Sequence, residues 1–412
     1  MICSSSSPPI RRRPGECRGP RGFTMVELAA VILILAFLIA LLLPALGGAL
    51  KTARNAAVGA EINQLAQALA SFKTRYGDYP PSRIYLSEDG NLQPNVTNLY
   101  GPVNGNAGDI TYAQLGQRSI AAMRKFFPRV TFNLGTPTSY WYDFNGDGQA
   151  VTNGVTQQYI LQGHECLVFF LGGVPLLTTS GYGMTGFGKD PTNPFTNSIT
   201  GNLGYSANRQ APFFEFVANR LVLDPSDASG IPGYLDSLGN PAPPAIAIPP
   251  PPFGIVPGSP VNFYAYFSSY GNGGYDPNDV NFSSELDINL SEAALSYHVA
   301  FPVLGANGCF SPAPNPYTST TTAPFNTTTT PPTPLPLSFL NPQSFQIISS
   351  GIDGQYGVGG QYTPDATGES LPLDPNSNFP AGIYLPYINT TDATIRIRER
   401  DNVTNFHNGT LE

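Results

Sequence analysis

The chain of 412 residues is poor in charge and rich in residues that interrupt regular structure, because charged residues make up 12% of it and glycine and proline number 43 and 42. The net charge of -8 gives no basis for nucleic-acid binding, which needs clustered Lys and Arg. The three histidines, His164, His298 and His407, are widely separated and form no metalloenzyme or hydrolase motif. We therefore expect a loop-rich structural protein and not an enzyme.

Residues 1–22 are predicted to form a flexible leader of Ser, Pro and Arg. This leader carries five arginines against one acidic residue, Glu16. An excess of arginine immediately before an apolar segment favours a cytoplasmic location for this end of the chain. The apolar run that follows is too long for a typical secretory signal, which also argues against a twin-arginine signal.

Residues 28–50 form an apolar run without a single charge. As a helix, the run would be roughly 34 Å long, and the hydrocarbon core of a bilayer is about 30 Å thick. Glu27 immediately precedes it, and an ionised carboxylate at membrane depth costs about 2.5–3.5 kcal/mol on insertion scales. Residues 23–50 are therefore predicted to be the transmembrane half of a helix, in which Glu27 needs a cationic partner.

The helical pattern continues through residues 51–78. Apolar residues recur every three or four positions, at Val58, Ile62, Leu65, Leu69, Phe72 and Tyr76. Polar residues, Glu61 among them, occupy the opposite face. Gly77, followed by two prolines at positions 80 and 81, predicts the end of the helix. We expect one helix over 23–76 whose second, amphipathic half packs against other elements; a free-standing coiled coil is the alternative.

The string from Gly22 to Glu27, GFTMVE, together with the apolar run and Pro44, resembles the N-terminal signal of type IV pilins and type II secretion pseudopilins. In that family a prepilin peptidase cleaves after the glycine and methylates the new amino terminus. The resemblance implies cleavage between Gly22 and Phe23 and methylation of Phe23. It also implies pairing of Glu27 with the amine of a neighbouring subunit, and a loosening of the helix at Pro44. An ordinary signal anchor is the alternative.

The resemblance also implies where the protein acts. It would be a single-pass protein of the inner membrane, with a cytoplasmic N-terminus and a periplasmic or extracellular head. Its partners would be other copies of itself, other pilin-like subunits, the prepilin peptidase and an inner-membrane assembly platform. The predicted function is that of a pseudopilus subunit in type II secretion. The alternatives are a type IV pilin for adhesion or motility, and a membrane-tethered enzyme or sensor.

Residues 79–412 are predicted to form an α+β head. We expect helices over 118–127 and 157–171, and strands over 213–223, 261–269, 344–350 and 394–398. Residues 241–260, which contain nine prolines, and the Pro/Thr-rich residues 311–337 are expected to be linkers or surface loops. The family resemblance implies a pilin-like arrangement, in which the long helix packs on an antiparallel β-sheet.

Two stretches predict calcium sites, and the first rests on the resemblance. Residues 344–360 resemble the strand and Gly/Asp-rich loop near the C-terminus of the major pseudopilin, and residues 400–406 resemble the segment that closes its calcium loop. This implies Asp353, Asp401 and Asn402 as ligands of Ca²⁺, although about 40 residues separate the two pieces here. An ordinary turn at Asp353 is the alternative.

The second stretch is DFNGDG at residues 143–148, which matches the start of an EF-hand loop and predicts Asp143, Asn145 and Asp147 as ligands. The twelfth position of the loop is Gly154 and not the usual glutamate, so the motif is incomplete. A polar hairpin turn without metal explains the same residues.

Two cysteines, Cys166 and Cys309, lie in the part of the chain that is predicted to be exported. An oxidising compartment would permit a disulfide between them. Cys166 lies in an apolar segment, however, where it also reads as a small buried hydrophobic residue.

Overall fold

The computed structural model describes most of the first half of the chain and selected segments of the second. The described residues are 24–92, 99–100, 112–132, 141–148, 151–152, 155–178, 181–195, 208–223, 229–237, 262–270, 273–276, 279–280, 315–319, 325–326, 333–334, 338–352, 354, 356, 359–363, 371 and 399–411. Several predictions lie outside them: the leader 1–22, the insertion 241–260, the strand over 394–398, and Gly22, Phe23, Asp353 and Cys309. The chain forms two compact units, Met1–Thr52 and Ala53–Glu412.

The predicted long helix is confirmed as α1, Met25–Tyr76, which contributes residues to both units. It continues through Pro44, although a proline supplies no backbone N–H to the helix. The helix ends where the sequence predicted, because Gly77 has a φ of 85° and its N–H donates to the carbonyl of Lys73 over 2.7 Å.

In the second unit, the apolar face of α1 belongs to the hydrophobic core. The side chains of Val58, Ile62, Leu65, Leu69 and Phe72 are almost completely buried. Their spacing of three and four residues places them on one side of the helix, as the sequence predicted. The ring of Phe72 contacts four other aromatic rings, those of Tyr76, Phe126, Phe170 and Phe213.

The shorter helices differ in their bounds from the prediction. Helix α2, Tyr112–Phe126, begins six residues earlier than expected. The predicted helix over 157–171 is wrong in its first part, because Gln158–Leu161 is a strand and helix α3 covers only Gly163–Gly172. Every residue of α3 is buried, so its apolar residues show no one-sided pattern that could fix its start. A 3₁₀-helix covers Ala218–Arg220.

Short strands make up the rest of the regular structure. In chain order they are β1 Ile84–Ser87, β2 Leu99–Tyr100, β3 Val151–Thr152, β4 Val155–Thr156, β5 Gln158–Leu161, β6 Pro175–Thr178, β7 Gly181–Met184, β8 Leu221–Val222, β9 Gly233–Tyr234, β10 Ala265–Ser268, β11 Asn315–Thr318, β12 Phe325–Asn326, β13 Thr333–Pro334, β14 Phe345–Ser349, β15 Gly359–Gln361 and β16 Val403–Thr404. They form three-stranded sheets of order β1-β5-β2 and β10-β14-β16, together with two-stranded pairs. Most pairings are antiparallel, whereas β2–β5 and β11–β15 are parallel. The fold is therefore α+β, with small sheets.

The sheet β10-β14-β16 separates two hydrophobic clusters. Side chains of a strand alternate between its faces, and in β14 the neighbours Ile347 and Ile348 belong to different clusters. The cluster of Ile347 includes the buried face of α1, and the cluster of Ile348 includes Tyr317. Strands from distant parts of the chain thus form the boundary between the two clusters.

The prediction that residues 311–337 are only linkers or surface loops is wrong where the structure describes them. Strand β11 lies within this stretch and pairs with β15. Its residue Tyr317 is completely buried, and the backbone N–H of Tyr317 donates to the side-chain oxygen of Gln346 over 2.7 Å. Burial of Tyr317 and Thr318 and the pairing with β15 thus hold this Pro/Thr-rich segment in the core.

Candidate functional site

The N-terminus of α1 is closed by a capping box between Thr24 and Glu27. The backbone N–H and the hydroxyl of Thr24 both donate to a carboxylate oxygen of Glu27 over 2.9 Å, and the N–H of Glu27 donates to the hydroxyl oxygen over 3.2 Å. In the single chain, Glu27 therefore has local hydrogen-bond donors, which the sequence analysis did not foresee. The predicted cleavage and methylation residues, Gly22 and Phe23, precede the described part of the helix.

The first half of α1 exposes its apolar side chains. Of the sixteen large apolar residues that are exposed in the described parts of the chain, fourteen lie between Met25 and Leu50. Helix α1 is long and apolar enough to cross a membrane. Large exposed apolar surfaces of this kind mark contact with lipid or with other proteins.

The second half of α1 carries one acidic residue, Glu61, which the sequence placed on the polar face of the helix and which is bonded to the head. Glu61 accepts two hydrogen bonds of 2.7 Å from the guanidinium of Arg220, and two more from the hydroxyls of Tyr234 and Tyr264. Arg220 also donates to the carbonyl of Leu235. Glu61 thus connects the helix to three segments of the head.

The predicted loop at residues 143–148 adopts a compact turn. The N–H of Gly148 donates to Asp143 over 3.2 Å, and the N–H of Asp147 donates to the side-chain oxygen of Asn145 over 3.1 Å. Gly146 and Gly148 both have a φ of 74°, which is strained for any residue with a Cβ. Of the predicted ligands, Asp143 is buried and Asp147 is exposed.

A third carboxylate, which the sequence analysis missed, joins this loop. Glu88 follows strand β1, and one carboxylate oxygen of each of Glu88, Asp143 and Asp147 lies within 4.8 Å of the other two. Two backbone hydrogen bonds fix the position: the N–H of Tyr142 donates to the carbonyl of Glu88, and the N–H of Glu88 donates to the carbonyl of Gln157. No spacing rule connects residues 55 positions apart, so only the fold reveals Glu88.

The electrostatics of this acidic cluster, formed by Glu88, Asp143 and Asp147, are unfavourable for three negative charges. Burial, reinforced by the charges of Asp147 and Asp143, raises the pKa of Glu88 to about 10. Burial, followed by the charge of Asp147, raises the pKa of Asp143 to about 6, although the N–H groups of the loop oppose the shift. Compensation therefore requires protons or a cation.

The two pieces of the predicted C-terminal calcium loop adjoin despite the intervening residues. Strand β14 pairs with β16, so that Ser349 lies opposite Val403. The N–H of Ile352 donates to the carboxylate of Asp401 over 2.6 Å. Asn402 is buried, and its amide donates to the carbonyl of Tyr356 over 2.8 Å. Asp401 and Asn402 thus fasten the loop; calcium at this place stays a prediction, since Asp353 is outside the described residues.

The remaining candidate residues lie in the core. Cys166 lies buried on α3, and burial raises the pKa of its thiol well above the ordinary value. Its predicted partner, Cys309, lies outside the described segments, so the bridge stays a prediction. His164 is buried and stacks on the ring of Phe263 at a centroid distance of 4.8 Å. These positions are typical of packing residues.

Comparisons with known proteins found no matching family model, no matching curated protein and no matching solved structure.

Proposed function

We propose that this chain is a pilin-like structural subunit that is cleaved between Gly22 and Phe23 and assembles into a pseudopilus of a type II secretion system. The main support is the division of α1 into two chemically different halves. The half up to Thr52 exposes apolar side chains, whereas the half from Ala53 buries its apolar face in the core of the second unit. A subunit held in a filament by its N-terminal helix needs this division.

In this proposal the apolar half of α1 spans the inner membrane before assembly and contacts the same half of other subunits afterwards. The leader stays cytoplasmic, and the head is periplasmic or extracellular. Prepilin peptidase and an assembly platform act on the membrane form. The choice of a pseudopilus over a surface pilus rests on residues 344–360 and 400–406, which resemble the major pseudopilin and are joined by the pairing of β14 with β16.

Glu27 has two partners in succession. In the single chain its carboxylate is held by Thr24, which satisfies the charge at the end of the helix. After cleavage, the methylated amine of Phe23 in a neighbouring subunit is a stronger partner, because a cation and an anion compensate each other in a low dielectric. Exchange of the partner then couples assembly to processing.

The capping role and the assembly role of Glu27 can be separated experimentally. Glu27→Gln keeps a side-chain acceptor that is compatible with the capping box, but it removes the charge. Thr24→Val removes the capping hydroxyl and keeps the charge. We expect the Gln variant to be processed but not assembled, and the Val variant to assemble. The measurements are the mass of the mature N-terminus and cross-linking of subunits in membranes that contain the peptidase and the platform.

Two results would refute the proposal. One is a mature protein that retains residues 1–22, since unmethylated and uncleaved chains cannot present the amine of Phe23. The other is normal cross-linking of the Glu27→Gln variant, which would leave Glu27 with the capping role alone.

A further inference from the structure

We propose that Glu88, Asp143 and Asp147 form a calcium site that fastens the end of strand β1 to the loop at residues 143–148. The proposal does not depend on filament assembly. It rests on the composition of the acidic cluster, on two buried oxygens without hydrogen-bond partners, and on the conformation of the loop.

Glu88 completes the calcium-loop motif that begins at Asp143. Asp143, Asn145 and Asp147 occupy the first, third and fifth positions of an EF-hand-like loop, and Gly148 occupies the sixth, where the chain must turn sharply. The glutamate that an EF-hand carries at its twelfth position is missing from the sequence. In the structure Glu88 brings a carboxylate to the loop from β1, so the missing ligand comes from another segment of the chain.

Two buried carboxylate oxygens of the acidic cluster have no hydrogen-bond donor. Glu88 and Asp143 are 0% and 1% exposed, and one oxygen of each, Oε2 of Glu88 and Oδ1 of Asp143, is buried without a hydrogen-bond donor. Their other oxygens are used: Tyr159 donates its hydroxyl to Glu88, and Gly148 donates its N–H to Asp143. A buried carboxylate oxygen without a donor is costly. A cation between the carboxylates removes this cost.

The ligand atoms of the acidic cluster favour Ca²⁺. The three carboxylates offer only oxygen atoms as ligands, which suits a hard cation better than zinc. Asn145 and Gln157 also border the cluster, since the amide of Asn145 donates to Asp147 over 3.1 Å and that of Gln157 over 2.8 Å. Rotation of either amide would present its oxygen to a cation. Carboxylates, amide oxygens and water together reach the six to eight oxygens that Ca²⁺ prefers, whereas Mg²⁺ keeps more of its own water.

The site would act as a clamp between distant segments. Strand β1 and the loop are 55 residues apart, and the N–H of Tyr142 already donates to the carbonyl of Glu88 over 2.8 Å. A bound ion adds a second connection that exists only in the folded state, so it should stabilise the head.

The test uses the full chain in detergent, first stripped with a chelator and then titrated with calcium chloride. Trp141 is the single tryptophan and lies two residues before Asp143, so its fluorescence reports on the loop. With Ca²⁺ we expect a saturable change in fluorescence, a rise in Tm and, by calorimetry, a stoichiometry of one ion. The fluorescence change and the rise in Tm should both be larger with Ca²⁺ than with Mg²⁺ at the same concentration.

The decisive variant is Glu88→Gln. It should weaken calcium binding by at least about tenfold, since even changes outside the ligand shell cost 10–100-fold in metal affinity. Because glutamine matches the shape of glutamate and brings no negative charge into the cluster, the metal-free variant should have a Tm no lower than that of the metal-free wild type, which separates loss of binding from loss of folding. Asp89→Asn is the matched control, because Asp89 bonds to Ser87 and Asn91 and not to the acidic cluster.

Three outcomes would overturn the proposal. The wild type could show no response to calcium, which would mean that protons alone compensate the carboxylates. The response could be equal in the wild type, Glu88→Gln and Asp89→Asn. It could also persist in Glu88→Gln and disappear in Asp401→Asn, which would place the ion at the C-terminal loop.

Discussion

Glu61→Gln should destabilise the head, because it removes the charge that holds α1 to Arg220. The side chains of Glu61 and Arg220 are only 14% and 20% exposed, and two charge-assisted hydrogen bonds of 2.7 Å join them. Such bonds contribute about 1.5–3 kcal/mol each, and removal of one partner of a buried pair costs about 3–5 kcal/mol. Because this pair is partly exposed and Arg220 keeps its bond to Leu235, we expect a loss of about 3 kcal/mol.

The assay is a double-mutant cycle with Glu61→Gln and Arg220→Gln. Urea unfolding of the full chain in detergent is monitored by the fluorescence of Trp141. The control is the pair of Asp78 and Lys125, whose N–O distance is 2.6 Å but whose side chains are 54% and 48% exposed. Surface pairs contribute about 0–1 kcal/mol. We expect a coupling free energy of about 2–3 kcal/mol for the first pair and less than about 1 kcal/mol for the control. Equal couplings would refute the reasoning that burial, and not distance, sets the contribution.

Two further predictions concern the core around α3. Gly163→Ala should destabilise the protein by an amount at the upper end of about 1–3 kcal/mol, because its Cβ would lie 1.9 Å from a carbonyl oxygen of β10. The control is Gly183→Ala, whose Cβ would meet no atom within 4 Å. Equal losses of unfolding free energy in urea would contradict the steric argument. Burial lowers the pKa of His164 to about 3 from a usual 6.5, so the unfolded chain binds the proton first and stability falls as the pH drops below about 6.5. At pH 5 the loss of unfolding free energy is about 2 kcal/mol, because each pH unit below the unfolded pKa costs about 1.4 kcal/mol. His164→Phe should lose less unfolding free energy than the wild type between pH 7 and pH 5, by about this amount. An equal loss in the variant and the wild type would contradict the prediction.

The sequence predicted α1 well because its signals are local. The apolar run, the spacing of Val58 to Phe72 and the turn at Gly77 each act within a few residues, and all are found in the structure. The same rules failed over 157–171. There, polar residues such as Gln158 and Glu165 are buried together with the apolar ones and mark no solvent-facing side, and pairing with β1 and β2 makes Gln158–Leu161 a strand.

The candidate sites divide in the same way. Sequence spacing located Asp143, Asn145 and Asp147, because a tight loop brings nearby residues together. Glu88 could not be predicted, since its proximity depends on the position of β1 beside β5. Asp401 was predicted through the resemblance, but its contact with Ile352 depends on the pairing of β14 with β16.

By itself, the amino-acid sequence determined that this protein has a long helix with an apolar first half and an amphipathic second half. Hydrophobic pattern and helix-breaking residues are sufficient for that, because they act along a single element. The tertiary structure alone decided which acidic side chains face solvent and which are brought together: Glu61 is bonded to Arg220, and Glu88 lies against Asp143. The physical reason is that the energy of a charge depends on its burial and on its neighbours in space, and neither is a property of position in the chain.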